Sequence, residues 1–506
     1  DRCRETFAAG PVAVPVVIDG VAEPTAATFS RQDPSDISRT VAVVAAASAD
    51  QARRAVAAAA AAFDRWREVG FAGRAGLLRK LAGLLRRDRF ELAATQVFEV
   101  GKSWREADAD VAEAIDFCEY YAEEATRLAA GWRVDVPGEE NVNSDRPRGV
   151  TVVIAPWNFP LAILTGMTTA ALVAGNPVVM KPAEQSSLTA YRLHLLLLEA
   201  GVPPAAVALL PGRGEQVGPV LVADPQTAVI AFTGSRAVGL EINRLAADAT
   251  ARGGRLIKRV ICELGGKNAI IVDDDADLDE AVLAVVDSGF GFQGQKCSAC
   301  SRVIVHEAVS EIFLSRLAAA VESLWLGPAD DPGSRIGPLV DEEACNRVRR
   351  TIAAGRASAR LVAAVDAGEL AEQGWFVGPH LFADVDPAGP LGQEEIFGPV
   401  VAVLRARHFD EAIDLANGTP YALTAGVFSR SPVHLQQAGD RLEAGNVYLN
   451  RGITGAFVRR QPFGGYRLSG GGSKAGGPDY LRQFLIPRTV TENTLRRGFA
   501  PATSAG

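Results

Sequence analysis

Apolar residues recur every three to four positions in several stretches of the first half of the chain, as they do on one face of a helix. This pattern predicts helices over 49–63, 74–87 and 104–128. Ser48 and Gln51 have the spacing of a capping box, in which each side chain bonds to the other residue's backbone N–H. We therefore expect the first helix to begin directly after Ser48.

Short apolar runs separate further helical patterns and predict strands. In the first half, strands are predicted at 149–155, 177–181, 205–210 and 228–232. In the second half, they are predicted at 268–272, 302–305, 400–405 and 426–428. Strands that alternate with helices pair in parallel, so the chain is expected to be an α/β protein with doubly wound sheets. Such sheets bind ligands beyond the carboxyl ends of their strands.

Two segments fit neither half. Residues 131–146 are polar with alternating apolar positions, and residues 479–492 form an apolar tail. A lone hairpin and a tail strand would expose unpaired backbone edges. We expect another subunit to pair with them.

The stretch from Gly149 to Met180 contains no charged residue, so a membrane helix must be considered. Pro156, Pro160 and Pro177 divide it into pieces too short to span a bilayer. A buried strand–helix–strand unit explains the stretch better.

Composition narrows the functional class. Of the 506 residues 48% are apolar, which is enough for a large core, and the net charge of −8 argues against nucleic-acid binding. A basic cluster over 74–89 is interleaved with leucines, which favours a solvated helix face over a binding patch. Six cysteines in so long a chain form no disulfide framework. We expect a cytoplasmic protein with no nucleic-acid or membrane partner.

The densest chemical cluster is Gly291–Cys300, with the sequence GFQGQKCSAC. Glycines before Cys297 allow tightly bent backbone where a substrate can approach, and a cysteine thiolate is a strong nucleophile. The alternative is a redox or zinc pair formed by Cys297 and Cys300. No second CxxC exists to complete a structural zinc site, so we expect no metal.

Two other polar residues are candidates for catalysis. Glu263 precedes two glycines and could act as a general base if burial raised its pKa, although a solvated carboxylate in a turn is the simpler interpretation. Asn158 follows a predicted strand and could donate to a developing oxyanion. The alternative role of Asn158 is to cap the next helix.

Two further clusters follow predicted strands and suit a dinucleotide. Lys181 and Glu184 could hold ribose hydroxyls, and the carboxylate would repel a 2′-phosphate, which favours NAD over NADP. Gly234 and Ser235 open a helix whose free N–H groups suit a pyrophosphate. A surface ion pair and a plain turn are the alternatives. The segment 212–218 misses the GxGxxG spacing by one residue and is interpreted as a turn.

Seven segments in order resemble the aldehyde dehydrogenase superfamily, over about residues 35 to 490. They are the five clusters above and the segments 394–399 and 461–465. The resemblance implies a Rossmann-type cofactor domain, an α/β catalytic domain and a β-flap for oligomerisation. Its implied boundaries are 1–130 and 147–263 for the NAD-binding domain, 264–450 for the catalytic domain, and 131–146 with 475–495 for the flap.

The resemblance also implies roles for residues. Cys297 would attack the aldehyde, the Asn158 amide and the Cys297 N–H would stabilise the adduct, and Glu263 would activate water to release the acid. The glutamate base argues against the acyl-CoA-forming branch of the superfamily. The implied NAD-binding residues are Trp157, Lys181, Glu184, Gly234, Ser235, Glu395 and Phe397.

Several segments resemble the subfamily that oxidises L-glutamate γ-semialdehyde to glutamate in proline degradation. They are 291–302, 450–455, 460–465 and 474–481, with weaker similarity at 99–102 and 114–117. In that subfamily the substrate carboxylate is held by the serine after the nucleophile and by a loop backbone. The implied substrate-binding residues are Phe159, Ser298, Gly455, Ala456 and Phe463.

One residue departs from the subfamily pattern, which often has glycine where this chain has Arg459. An arginine there would either attract the anionic substrate or crowd the pocket. Another small aldehyde is therefore the alternative substrate, and a non-enzymatic protein that kept the fold is a third hypothesis. The subfamily also occurs fused behind a proline dehydrogenase domain, and the flap implies a homo-oligomer.

Overall fold

A computed structural model describes residues 5, 7, 10–251 and 256–495. The three predicted helices are present as Ala49–Glu68, Gly70–Arg87 and Trp104–Leu128. The capping box is confirmed, since Ser48 Oγ accepts from the Gln51 N–H at 3.2 Å and Gln51 Oε1 accepts from the Ser48 N–H at 2.9 Å. The other α-helices described are Arg89–Val100, Ala162–Ala174, Ser187–Ala200, Gly214–Ala223, Arg236–Ala251, Leu278–Phe290, Ser310–Glu322, Glu342–Ser358, Leu370–Gln373, Pro390–Gln393, Phe409–Asn417 and Pro432–Arg441.

The first large sheet has eight strands, and five neighbouring strands in it are parallel. In sheet order the strands are Gly470–Gly471, Arg259–Glu263, Thr227–Thr233, Val150–Ile154, Val178–Lys181, Val207–Leu209, Val16–Ile18 and Val21–Glu23. The four strands predicted in the first half all lie in the parallel part. Arg259–Glu263 was not predicted because charged residues at both ends mask its short apolar run.

The second large sheet has seven strands, and all neighbours are parallel except the first pair. In order they are Arg360–Ala364, His380–Ala383, Val400–Ala406, Cys300–His306, Asn268–Val272, Thr424–Phe428 and Asn446–Leu449. The four strands predicted in the second half are adjacent to one another here. The α/β prediction is therefore confirmed.

The charge-free stretch is the predicted strand–helix–strand unit. Its parts are Val150–Ile154, Ala162–Ala174 and Val178–Lys181, and every residue of the helix except Ile163 is buried. Among the described residues, no helix is long and apolar enough to cross a membrane.

The segments that fitted neither half pair with each other. Leu485–Asn493 runs antiparallel to Glu139–Pro147 over nine residue pairs, and Trp132–Arg133 adds a third strand. In this three-stranded flap sheet, most of the backbone hydrogen-bonding groups that were expected to pair with another subunit pair within the same chain. Two smaller sheets are formed by Val12–Val14, Asp36–Ala46 and Ala27–Asp33, and by Tyr421–Ala422 and Tyr466–Arg467.

The basic cluster is only partly a solvated helix face. Arg74 is 2% exposed, and its guanidinium donates to the backbone carbonyls of Trp66, Arg67 and Val173. It therefore satisfies carbonyls near the ends of two helices. The expectation of a solvated face is wrong for Arg74, although Arg79, Lys80, Arg86 and Arg87 are exposed.

Candidate active site

A cavity of about 110 Å³ lies where the two large sheets meet. Glu263 ends a strand of the first sheet, and Cys297 precedes a strand of the second. Both line the cavity, together with all five predicted substrate-binding residues, Phe159, Ser298, Gly455, Ala456 and Phe463. The fold thus brings together residues that are up to about 300 positions apart in sequence.

Cys297 is half-buried, and its backbone is held from the neighbouring strand. Asn268 Nδ2 donates to the carbonyls of Cys297 at 2.7 Å and of Ala299 at 2.9 Å. Burial raises the pKa of the Cys297 thiol to about 12, and the carboxylates of Glu395 and Glu263 add to the rise. A thiol with this pKa needs a proton acceptor to act as a nucleophile.

The structure does not support the CxxC interpretation. Cys297 and Cys300 are both free thiols, and Cys300 is buried away from the cavity with its Sγ 3.2 Å from the Arg302 carbonyl oxygen. Only Cys297 of the two faces the space where a substrate would lie.

The backbone before the nucleophile is strained. Phe292 and Gln293 have φ of +49° and +56°, and Gly294 continues the left-handed run at +67°. A non-glycine residue in this region costs on the order of 1–3 kcal/mol. The Gln293 side chain holds the turn by donating to the Pro338 carbonyl at 2.6 Å. The glycines in this stretch gave a sequence signal for bent backbone, but not for strain at Phe292.

Glu263 is half-buried rather than a fully solvated carboxylate. Its Oε2 is buried without a hydrogen-bond partner, and burial raises its pKa to about 8, with Lys474 opposing the rise. A Cβ on Gly464 would lie 2.8 Å from Oε1 of Glu263, so only glycine fits there without a shift. A carboxyl with a pKa near neutrality can exchange protons during catalysis.

Asn158 does not cap the following helix. The N–H groups of Leu161 and Ala162 donate instead to the buried carboxylate of Asp110, at 3.2 and 3.4 Å. Asn158 Nδ2 donates to the Gln295 carbonyl at 3.1 Å, across to the segment that carries the nucleophile. An amide nitrogen has two hydrogens, so one remains for a substrate oxygen.

Lys181 and Glu184 adjoin a helix start at the edge of the first sheet. Lys181 Nζ lies 3.4 Å from Glu184 Oε1, and this oxygen also accepts from the Gly214 N–H at 2.5 Å. The interpretation of 212–218 as a turn is wrong, because a helix begins at Gly214. These groups form one polar corner, rather than a surface ion pair, because Lys181 is only 3% exposed.

Gly234 and Ser235 lie between the strand Thr227–Thr233 and the helix Arg236–Ala251. The Gly234 N–H donates to the Glu263 carbonyl at 3.1 Å, and Ser235 Oγ accepts from the Val238 N–H at 3.4 Å. This turn therefore joins the candidate phosphate site to the candidate base.

Glu395 packs directly on the backbone after Glu263. Its Oε1 accepts from the Gly266 N–H at 2.9 Å, and a Cβ on Gly265 would collide with its Oε2. Phe397 has a φ of +56°, and its ring meets the Trp157 ring edge-on at 5.6 Å. Glu395 and Phe397, both predicted to bind NAD, thus lie beside the site without lining the cavity itself.

The loop around Gly455, which lines the same cavity as Cys297, has free space beside its backbone. Gly455 has a φ of +75°, and a Cβ there would meet nothing within 4 Å. Arg459 does not line the cavity: it is exposed and forms an ion pair with Glu123 at 3.1 Å. Its φ of +69° accounts for glycine at this position in the subfamily. Arg459 therefore does not crowd the cavity.

One acidic residue of the cavity was missed by sequence reasoning. Glu113 lines the cavity, and burial raises its pKa to about 8, with Asp110 adding to the rise. Phe117 and Tyr121 line the same cavity one and two helical turns further on. The spacing of these three residues was the available signal, but the sequence analysis assigned no function to this face of the predicted helix.

The chain matches the aldehyde dehydrogenase family model over residues 21–490, and it belongs to that family. It is 44% identical over 479 residues to the 1-pyrroline-5-carboxylate dehydrogenase of Geobacillus thermodenitrificans, covering 94% of this chain and 92% of that protein. The predicted superfamily and its fold are confirmed.

Two solved structures are similar over nearly the whole chain. A Thermus 1-pyrroline-5-carboxylate dehydrogenase with bound NAD gives a TM-score of 0.93 at 44% identity, covering 97% of this chain and 94% of that one. Proline utilization A from Bdellovibrio bacteriovorus gives 0.95 at 51% identity, covering 99% of this chain. The chain spans 52% of that second protein, about half its length.

Proposed function

We propose that this chain oxidises L-glutamate γ-semialdehyde, the open form of 1-pyrroline-5-carboxylate, to L-glutamate with NAD, in proline degradation. One observation carries the proposal. A single cavity is lined by a thiol, by a carboxyl with a pKa of about 8, and by Ser298 and the Gly455–Ala456 backbone, whose donors suit an anion. The relatives with this activity in their names support the same substrate.

The residues that follow the strands of the first sheet fit NAD. The buried Lys181 and the Glu184 carboxylate suit ribose hydroxyls, and Gly234 and Ser235 precede a helix start that suits a pyrophosphate. The collision that any Cβ on Gly265 would make with Glu395 shows how closely this backbone is approached from the second sheet. NAD, when bound, supplies the acceptor for the hydride that leaves the substrate carbon.

Bond formation begins at Cys297. Its thiol proton passes to solvent water, the sulfur attacks the aldehyde carbon, and the carbonyl oxygen becomes an oxyanion. The Asn158 amide and the Cys297 N–H donate to that oxygen. Each donor of this kind contributes about 3 kcal/mol to the transition state. Loss of hydride from the adduct leaves a thioester on Cys297.

Release of the product requires water and Glu263. The carboxylate takes a proton from water, the resulting hydroxyl attacks the thioester carbon, and the C–S bond breaks to give the acid and the thiol. A pKa of about 8 is close enough to neutrality for this proton transfer in both directions.

The substrate carries a carboxylate and an ammonium at the end far from the aldehyde, and the site can recognise both. The Ser298 hydroxyl and the loop N–H groups bind the carboxylate, and Glu113 is the acidic group that suits the ammonium. Phe159 and Phe463 enclose the aliphatic part.

A substrate panel tests the proposal. Reduced NAD is followed by absorbance with the semialdehyde and with an uncharged aldehyde of the same chain length, with NADP in place of NAD as a second comparison. We expect kcat/KM for the semialdehyde to be higher by about 100-fold, since hydrogen bonds to charged groups contribute about 1.5–3 kcal/mol each. Equal rates, or a preference for the uncharged aldehyde, would contradict the substrate assignment.

We further propose that the chain acts in the cytoplasm as a homo-oligomer through its flap sheet. The five described cysteines are free thiols, which suits a reducing compartment. The flap sheet exposes several large apolar residues, which suits association. They are Trp132, Val134, Val136, Ile486 and Val490.

A further inference from the structure

Lys102 is a fully buried cation that the catalytic steps above do not use. It stands between the helices Arg89–Val100 and Trp104–Leu128, in a short stretch singled out above for weak similarity to the subfamily. Burial of an ammonium is costly unless its partners compensate. The partners of Lys102 therefore indicate its role.

Those partners belong to the two segments that carry the oxyanion donors. Lys102 Nζ donates to the Asn158 backbone carbonyl at 2.8 Å and lies 4.0 Å from the centre of the Phe159 ring. It also lies 5.0 Å from the centre of the Phe292 ring, in the strained turn five positions before Cys297. One ammonium thus touches both sides of the site where an oxyanion would form.

An acidic partner holds the ammonium in place. Asp110 is fully buried, its Oδ1 lies 3.7 Å from Lys102 Nζ, and its carboxylate caps the helix that follows Asn158. Burial lowers the pKa of Lys102, whereas Asp110 and Glu106 raise it and Lys296 lowers it. The Asn158 segment is therefore held at its carbonyl by Lys102 and at the next helix by Asp110.

We propose that Lys102 is a positioning residue for the oxyanion site, in that its ammonium fixes the Asn158 turn against the segment of the nucleophile. The inference rests on the proposed aldehyde oxidation. An oxyanion donor is effective only if it is already oriented when charge develops, and misplacement by about 1 Å can reduce a rate about 100-fold. Without Lys102, the Asn158 carbonyl loses a buried donor and the turn can shift.

The first test is Lys102→Met, which keeps the length of the side chain and removes the charge and the donor. We expect kcat to fall by about 10- to 100-fold, while KM for NAD stays near the parent value. Alkylation of Cys297 by iodoacetamide should proceed at the parent rate, because that reaction creates no oxyanion. An alkylation rate that fell in proportion to kcat would show a general structural defect and would overturn the proposal.

A double-mutant cycle with Asn158→Ala separates positioning from other effects. If Lys102 acts through the Asn158 amide, Lys102→Met should cause little further loss of kcat in the Asn158→Ala background. Losses that multiply would contradict the proposal. Lys102→Arg, which retains the charge but displaces the donor, repeats the cycle if the methionine variant does not fold.

Arg74→Met is the matched control, since Arg74 is another buried cation that donates to backbone carbonyls, but it lies outside the cavity lining. We expect it to lower Tm without changing kcat per folded molecule. An equal loss of kcat in Arg74→Met would make the effect of Lys102 a consequence of lost stability.

If the parent oxidises no aldehyde at all, the proposed function fails, whereas an active Lys102→Met variant refutes only this inference.

Discussion

Replacement of Glu263 by glutamine separates the two halves of the proposed reaction. The amide keeps the size of the side chain but cannot accept a proton from water. Attack by Cys297 and hydride loss do not require that proton transfer, so the thioester should still form. Its hydrolysis should become slow, and loss of a general base typically costs about 100- to 10,000-fold.

The pH dependence follows from the raised pKa of Glu263. With a pKa of about 8, about one tenth of the molecules carry the ionised base at about pH 7 and about nine tenths at about pH 9. If hydrolysis limits turnover, kcat of the parent should rise about tenfold over this interval. The glutamine variant has no group to titrate at this position, so its low kcat should be nearly independent of pH.

Rapid mixing with NAD and the semialdehyde provides the measurement. Glu263→Gln should release one equivalent of reduced NAD per active site in a burst, followed by a slow steady state, and denatured protein should carry the acyl group on Cys297. A uniformly slow reaction with no burst would refute the assignment of Glu263 to hydrolysis. A parent kcat that falls from about pH 7 to about pH 9 would refute the argument from its pKa.

Other outcomes follow from the same site. Glu113→Gln should raise KM for the semialdehyde by about 10- to 100-fold, because the bound ammonium favours the ionised form of Glu113 and glutamine cannot supply that charge. The variant should leave the uncharged aldehyde unaffected, and an equal effect on both would place Glu113 outside recognition. Arg459→Gly should leave kcat/KM unchanged, because Arg459 is exposed and pairs with Glu123, and a large rise in KM would return it to the pocket. Glu263→Gln should raise Tm at about pH 9 and hardly at about pH 5. The pKa of Glu263 is higher in the folded than in the unfolded protein, so its ionisation destabilises the fold increasingly as the pH rises from the unfolded-state pKa to about 8. An equal Tm difference at both pH values would contradict that burial cost.

The sequence predicted the parallel strands because each is a short apolar run that stays buried on both faces. It did not predict the strand Arg259–Glu263, because only two of its residues are buried and a charged residue stands at each end. It also did not show that 131–146 and 479–492 pair with each other. A strand's partner depends on three-dimensional arrangement, and here the pairs are more than 300 residues apart.

Within the site, sequence reasoning found residues that stand beside glycines or at strand ends. Cys297, Glu263 and Asn158 all do, and the fold brings them to one place. Glu113 lacks that context. Lys102 follows a glycine and Asn268 begins a strand, but neither was assigned a role, because their roles depend on what they contact. Asn268 begins a predicted strand, yet its bond to the Cys297 carbonyl depends on the pairing of two strands.

The order of strands in the first sheet affects how the protein can be made. That sheet includes Val16–Ile18 at one side and Gly470–Gly471 at the other edge. A ribosome that adds about 5–20 residues per second needs roughly 10 to 40 s to synthesise the chain between Glu263 and Gly470. During that time the strand Arg259–Glu263 has no partner on one side, and the nascent chain carries an open edge that can pair with other chains. Slower synthesis of this part of the chain therefore keeps the edge open for longer and raises the chance that it pairs with another chain.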